Sequence, residues 1–275
     1  MPDQNQYQIL DAGNGCKLEK IGDYTIIRPS NQAFWETQDA KKWSDFDSEF
    51  NRKSDSKGTW EGDLPAKWQI QHRGLKWNII PNEFGNIGVF FEHLEYTEDL
   101  LQIFDRQDLI LDLFAYSGSS VMSLLKDGYK VVAVDSSKQS MGLYTANMEL
   151  NQISRDGQKL ILEDVNKFLK REARRGKKYK SIILDPPTFG KGTKGEVFSI
   201  EKNLLEMLLD IKNVSDPKAS IVMTLHSPKF TQIILENLLF SLFKKAKITV
   251  KELSIPIQSG LSLPSGYLCI VQNDD

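Results

Sequence analysis

Residues 108–137 read DLILDLFAYSGSSVMSLLKDGYKVVAVDSS. An apolar run, a turn of small residues, an amphipathic stretch and a second apolar run follow in that order, which predicts strand, tight turn, helix and parallel strand. The alternation continues downstream. Strands are expected at 108–113, 130–135, 159–162, 180–185, 219–225, 247–253 and 266–272, with helices in most gaps. That pattern predicts a doubly wound, Rossmann-like α/β fold with a seven-stranded, mostly parallel sheet. The stretch 229–244, after a Ser227-Pro228 start signal, is expected to be a helix whose face carries Phe230, Ile233, Ile234, Asn237, Leu238 and Ser241. The last two strands are joined by SIPIQSGLSLPSG without a helix, so the sheet should end in an antiparallel hairpin.

Upstream the chain changes character. YTIIRP, WQIQ, LKWNII and IGVFF are short strand-like runs broken by Gly, Pro and Asn, and DAKKWSDFDSEFNRKSDSKG reads as a short helix followed by a loop. All five tryptophans lie within the first 77 residues; residues 1–100 carry a net charge of −6 and residues 101–275 one of +4. The expected division is a small β-rich N-terminal domain over 1–95 and a larger domain over 96–275. With 40% apolar and 26% charged residues in 275, the composition excludes disordered and fibrous classes. No apolar run reaches the roughly 20 residues that span a bilayer, and MPDQNQYQIL lacks a signal core, so a cytoplasmic location is expected. Two cysteines and three histidines make no metal site expected.

In open parallel sheets ligands bind at the carboxyl ends of the strands. The first strand runs into Asp112-Leu113-Phe114-Ala115-Tyr116-Ser117-Gly118, where Gly118 lets a ligand approach the backbone and a helix N-terminus is expected to follow. The second ends in Asp135-Ser136, 17 residues after Gly118, where a carboxylate suits a ribose diol. Glu163-Asp164 follows the third and suits an adenine amino group. Asp135 and Asp164 are equally readable as helix N-caps. A dinucleotide fold wants G-x-G-x-x-G, and FAYSGSS has one glycine, so a phosphate-free adenosine ligand, S-adenosylmethionine (SAM), fits better than NAD(P). An NAD(P)-dependent oxidoreductase is the alternative, and a non-catalytic SAM-binding module a third reading.

After the fourth strand stands Asp185-Pro186-Pro187-Thr188-Phe189-Gly190. It resembles motif IV of class I SAM-dependent methyltransferases, D/N-P-P followed by an aromatic. LDLFAYSGSS, VDSSKQS, ANMELNQI and ILDPPTFGKGTKGEVFSIEKNL together resemble the bacterial family neighbouring the large-subunit ribosomal RNA cytosine-5 methyltransferases, over about residues 85–275. The resemblance implies a cofactor site lined by Asp112, Phe114, Ala115, Tyr116, Gly118, Asp135, Ser136 and Asp164, with Asp185, Pro186 and Pro187 at the acceptor. It also implies a nucleic-acid base, most readily in RNA, as substrate. Phe189 and His226 join the candidate acceptor site, His226 as orienting group or proton acceptor. The sequence departs from the cytosine-5 enzymes in lacking their cysteine: Thr188 and His226-Ser227 stand where it would be needed. Direct attack by a nitrogen or oxygen lone pair, without a thiolate adduct, is therefore expected. Lys170, Arg171, Arg174, Arg175, Lys177, Lys178 and Lys180, with Lys191 and Lys194, are readable as phosphate contacts or as solvated charge. The tryptophans are readable as base-stacking groups or as core. Oligomeric state stays open.

Overall fold

The computed structural model describes residues 6–53, 57–191 and 197–273. It divides into two units: Met1–Glu95 with Glu149–Gln152 and Ser254–Ser265, and Tyr96–Met148 with Ile153–Leu253 and Gly266–Asp275.

In the first unit five strands, β1 (Tyr7–Gly13), β2 (Cys16–Ile21), β3 (Tyr24–Pro29), β4 (Ser48–Arg52) and β5 (Gly58–Gly62), form one sheet in that order. A hairpin of β6 (Trp68–His72) and β7 (Leu75–Ile79) accompanies it. Three runs expected as strands are found, but IGVFF is not one. It is an irregular segment with Val89 and Phe91 buried. The expected helix-and-loop stretch instead supplies only one 3₁₀ turn, Lys42–Ser44, before SEFNR pairs as β4. All five indole N–H groups donate hydrogen bonds within this unit, four of them to carbonyls of Ala12, Asn82, Ile21 and His72 and that of Trp43 to Asp11. The tryptophans are thus tied into the fold. Asp11, next to a bulge in β1, also accepts the amides of Gln38 and Asp39 and so anchors the loop after β3.

Glu19 of β2, fully buried, is gripped by Arg28 through two hydrogen bonds of 2.6 and 2.8 Å, by Lys17 at 3.0 Å and by the Tyr7 hydroxyl at 2.9 Å. Burial alone would raise its pKa, but the two cations outweigh that and hold the carboxyl down at about 2.

The second unit holds β8 (Leu109–Leu113), β9 (Lys130–Asp135), β10 (Lys159–Leu162), β11 (Tyr179–Leu184), β12 (Phe189–Lys191), β13 (Val197–Ser199) and β14 (Ser215–Leu225). β15 (Ala246–Pro256) and β16 (Ser262–Asn273) complete the strands, with the hairpin end Ser254–Ser265 counted in the first unit. Seven form a sheet in the order β10-β9-β8-β11-β14-β16-β15, while β12 and β13 pair separately. β10, β9, β8, β11 and β14 run parallel and β16 runs antiparallel to β14. The expected terminal hairpin is present, with its second arm inserted next to β14. The helices are α1 (Thr97–Ile103), α2 (Met122–Lys126), α3 (Lys138–Leu150), α4 (Val165–Arg174), α5 (Ile200–Val214) and α6 (Gln232–Leu242).

One face of the sheet, through Leu111, Leu113, Val132, Ile182, Leu184 and Met223, shares a continuous core with α4, α5 and α6. Alternation then sends Asp112 and Asp185 to the opposite face. α6 starts later than Ser227-Pro228 suggests, because Thr231 caps it through Ile234 N. Its packed stripe is Leu235, Leu238, Leu239 and Leu242, at i, i+3, i+4 and i+7, and Ile233 of the expected face is 68% exposed. Four leucines outweigh a stripe interrupted by Asn237 and Ser241. No helix among the described residues is long and apolar enough to cross a membrane.

Glu19→Ala should leave the Arg28 guanidinium buried beside no carboxylate and cost about 3–5 kcal/mol, read as a lower urea midpoint for the N-terminal unit. Because the Glu19 pKa is depressed, its contribution is present above the ordinary glutamate range and is lost as pH falls toward about 2.

Candidate active site

Strand order reverses between β8 and β11, so the carboxyl ends of these neighbours frame the candidate site. The turn leaving β8 is strained. Phe114 and Tyr116 take positive φ angles of 60° and 46°, and Gly118 one of 84°. Two anchors across β9 hold the turn: Ala115 N donates to Val134 O at 3.2 Å, and Tyr116 N to Asp135 Oδ2 at 3.0 Å. Gly118 is required for space as well as for φ, since a Cβ there would lie 2.7 Å from the Met122 methyl and 3.0 Å from the Tyr144 ring. From α3, buried Asn147 donates its Nδ2 to Ser117 O at 3.1 Å, and Ser117 Oγ lies 3.1 Å from Ser119 Oγ. The expected helix start is displaced: α2 has five residues and begins at Met122. The turn is thus fixed by Asp135 and α3 rather than by a helix dipole.

Asp135 accepts Ser137 N through Oδ1 at 2.7 Å, while the cap of α3 is Ser137, whose Oγ accepts Ser140 N. Ser136 between them is exposed at the sheet edge. Burial raises the pKa of Asp135 against the lowering effect of the Ser137, Tyr116 and Ser136 amides. Asp112 is 2% exposed, and burial followed by the charges of Asp135 and Asp185 pushes its carboxyl well above the ordinary aspartate range. Among the described residues its Oδ2 and the hydroxyl of fully buried Tyr144 have no hydrogen-bond partner. The Tyr144 pKa is raised by burial and by Asp112. Asp164 is the N-cap of α4, accepting Lys167 N at 3.0 Å, and Glu163 is paired with Arg171.

Asp185 follows β11, its amide donating to Leu113 O at 3.3 Å. Its Oδ1 accepts the buried Thr224 hydroxyl at 2.5 Å and lies 3.1 Å from His226 Nε2. Thr224 and His226 belong to and follow β14, so adjacent strand ends converge on one carboxylate. Gly266 of β16, with a φ of 103°, makes room for this: a Cβ would come within 2.3 Å of Leu225 O and 3.0 Å of His226 Nδ1. Pro186 is buried, Pro187 exposed, and the Phe189 ring is 55% exposed at the start of β12. Phe114 and Phe198 rings lie 6.3 Å apart beside them.

Thr224, Tyr144, Asn147 and Gly266 did not figure in the reading of the sequence. The available signal was a polar Asn147 on the apolar face of α3 that carries Met141, Tyr144 and Met148. Much of the basic run is engaged locally: Lys170 with Glu206, Arg171 with Glu163 and Glu172, Arg175 with Glu172 and Lys178 with Asn213 O. Lys194 and the Lys191 side chain lie outside the described residues. Cys269, 1% exposed on β16, has its thiol pushed up to about 12 by burial and then by Glu236, and Cys16 belongs to the first unit.

The ribosomal RNA large subunit methyltransferase I of Salmonella arizonae is 29% identical over 136 residues, covering 49% of this chain and 34% of that protein. The K/L enzyme of Syntrophotalea carbinolica is 29% identical over 160 residues, covering 57% and 22%. The chain spans about half or less of the length of these curated relatives. A SAM-dependent methyltransferase from Agrobacterium tumefaciens superposes with a TM-score of 0.90 at 29% identity, covering 98% of this chain and 91% of that one. A methyltransferase from Streptococcus mutans, at 19% identity and a TM-score of 0.76, shares the fold. The model of the family described as RNA cap guanine-N2 methyltransferase matches residues 107–260, more than half of the chain. Sheet order, strained first turn, Asp185-Pro186-Pro187 end and family match agree: the chain belongs to this family of SAM-dependent methyltransferases.

Proposed function

We propose that this chain methylates a nitrogen of an RNA base. The observation that carries the cofactor half of this reading is the crowding of Asp112, Asp135 and Asp185, with Asp112 and Tyr144 presenting buried polar atoms that lack partners among the described residues. Buried like charges repel, and a cation between them removes the penalty. SAM carries an ammonium and supplies an electrophilic methyl group on a sulfonium. Asp112 would receive the ammonium, Asp135 the ribose hydroxyls, and the turn Phe114, Ala115, Tyr116, Ser117 and Gly118 would line the pocket. Ser136 and Asp164 stand farther along the edge. Asp164 has one oxygen engaged in its cap, which leaves the other for an adenine amino group.

For the acceptor, Asp185 offers a carboxylate immobilised by Thr224 and His226, within a turn stiffened by Pro186 and Pro187. Phe189 offers an exposed face for stacking a base. An amino group held by Asp185 is oriented for in-line attack: the nitrogen–carbon bond forms as the carbon–sulfur bond breaks. The amine proton passes to the Asp185–His226 pair. The family description names guanine N2, an exocyclic amine, and the curated relatives carry ribosomal RNA in their names, which supports nitrogen and RNA. The buried, protonated state of Cys269 supports attack without a thiolate adduct.

Three measurements test this. Asp112→Asn should weaken SAM about tenfold or more in calorimetry, yet raise the melting temperature of the ligand-free protein by a few degrees. The sign follows from the raised pKa: the folded state binds the proton more tightly, so ligand-free stability falls as pH rises through the titration. SAM affinity should correspondingly fall as pH drops below that value. Unchanged SAM affinity in Asp112→Asn removes the assignment. Asp185→Ala should reduce methyl transfer from labelled SAM to RNA by about a hundredfold or more, with little change in SAM affinity. Near-normal turnover would remove Asp185 from the reaction. The double variant Cys16→Ser, Cys269→Ser should turn over normally, and RNA containing 5-fluorocytosine should give no denaturation-resistant complex. Such a complex, lost in Cys269→Ser, would establish the cytosine-5 route instead.

A further inference from the structure

At the amino edge of the second unit's sheet, opposite the strand ends that carry Asp112 and Asp185, lies an open cavity of about 420 Å³. Among the described residues its lining includes Lys178, Lys212, Lys244 and Lys245, with one acid, Asp216, and the apolar Phe243. Residues 101–275 carry a net charge of only +4, and four of their lysines meet at this one cavity. Two of the ammonium groups are held in place: Lys178 Nζ donates to Asn213 O at 2.9 Å and Lys212 Nζ to Leu242 O at 2.6 Å. Each bond uses one of three N–H donors, so two remain on each side chain, at positions already fixed by the ends of α5 and α6. Lys212 is further steadied over the Phe243 ring at 5.8 Å. Lys244 and Lys245 sit on the turn closed by Ala246 N to Phe243 O. The Asp216 carboxylate is partly occupied by the amide of Lys218. Fixed donors, surplus positive charge and a concave surface are the chemistry of a phosphate site.

We propose that this cavity is an anion site that holds a phosphodiester group of the RNA substrate. The identity of the phosphate's source rests on the RNA reading above; the anion site itself does not. β11 separates the two ends of the sheet by six residues, about 20 Å at the usual rise per residue. One RNA must therefore reach across the sheet, and short oligonucleotides could not fill both sites.

The test is fluorescence anisotropy with a labelled RNA of about 20 nucleotides over a salt series, alongside calorimetry with inorganic phosphate and with adenosine monophosphate. Lys244→Glu with Lys245→Glu should weaken RNA about tenfold at low salt and flatten the log–log salt slope by about 0.7. The milder pair Lys244→Gln, Lys245→Gln should fall between, and SAM affinity should be unchanged in both. Equal RNA affinity and slope in all three proteins, with circular dichroism intact, would overturn the proposal. If the unaltered protein binds no RNA, calorimetry decides. Phosphate or nucleotide binding that disappears in Lys244→Glu, Lys245→Glu keeps the anion site and removes the RNA reading, whereas binding that is absent or indifferent to the lysines overturns the site.

Discussion

A carboxyl group shut away from water beside two others is the constraint around which the carboxyl edge of the sheet is built. Asp112 cannot be solvated, and Asp135 and Asp185 oppose its ionisation. A protein keeps such an arrangement only where the surrounding structure over-determines it. Here the over-determination is visible. Asp135 spends its oxygens on Tyr116 and Ser137 amides, which holds the turn after β8 in left-handed conformations that Phe114 and Tyr116 would not adopt alone. Tyr144 and Asn147 press on the same turn from α3. The apolar layer between the sheet and α4, α5 and α6 supplies the cohesion that offsets the strain.

The second unit was largely legible because its strands are apolar on both faces and its helices fill the intervals between them. Position along a parallel strand then determines which residues emerge at the carboxyl edge, so the placement of Asp112, Asp135 and Asp185 was readable, while a part in the site for Asp112 and Asp185 was what the family resemblance implied. The partners of these residues do not. Thr224 lies within an apolar run and reads as an ordinary strand residue; its hydroxyl acquires meaning only when β14 docks beside β11. Gly266 reads as part of a loop, although its missing side chain is what admits His226.

The first unit was less legible, for a related reason. β1 and β2 carry charged groups inside: Asp11 interrupts the alternation at a bulge, and Glu19 is buried where the pattern demands an apolar residue. Both positions are satisfied by partners distant in sequence, Trp43 and Gln38 for one and Arg28 for the other. Local patterning cannot register a charge whose neutralising group arrives from another strand. In the same way the helical reading of 229–244 identified the element and only part of its face: Phe230 and Leu238 pack against the core, but the rest of the stripe is Leu235, Leu239 and Leu242.

The insertion of β16 between β14 and β15 also governs the order of assembly. β15 precedes β16 in the chain, yet its place in the sheet depends on a strand that is made after it. Until residues 262–273 emerge, β14 is an open edge of 11 residues with a long apolar stretch, available to any other strand in its surroundings. The five parallel strands can form progressively during synthesis, but the last two must arrive as a pair, in a late step closing long-range contacts. Loss of β16 would therefore do more than shorten the sheet. It would strand β15 and leave β14 as a template for aggregation.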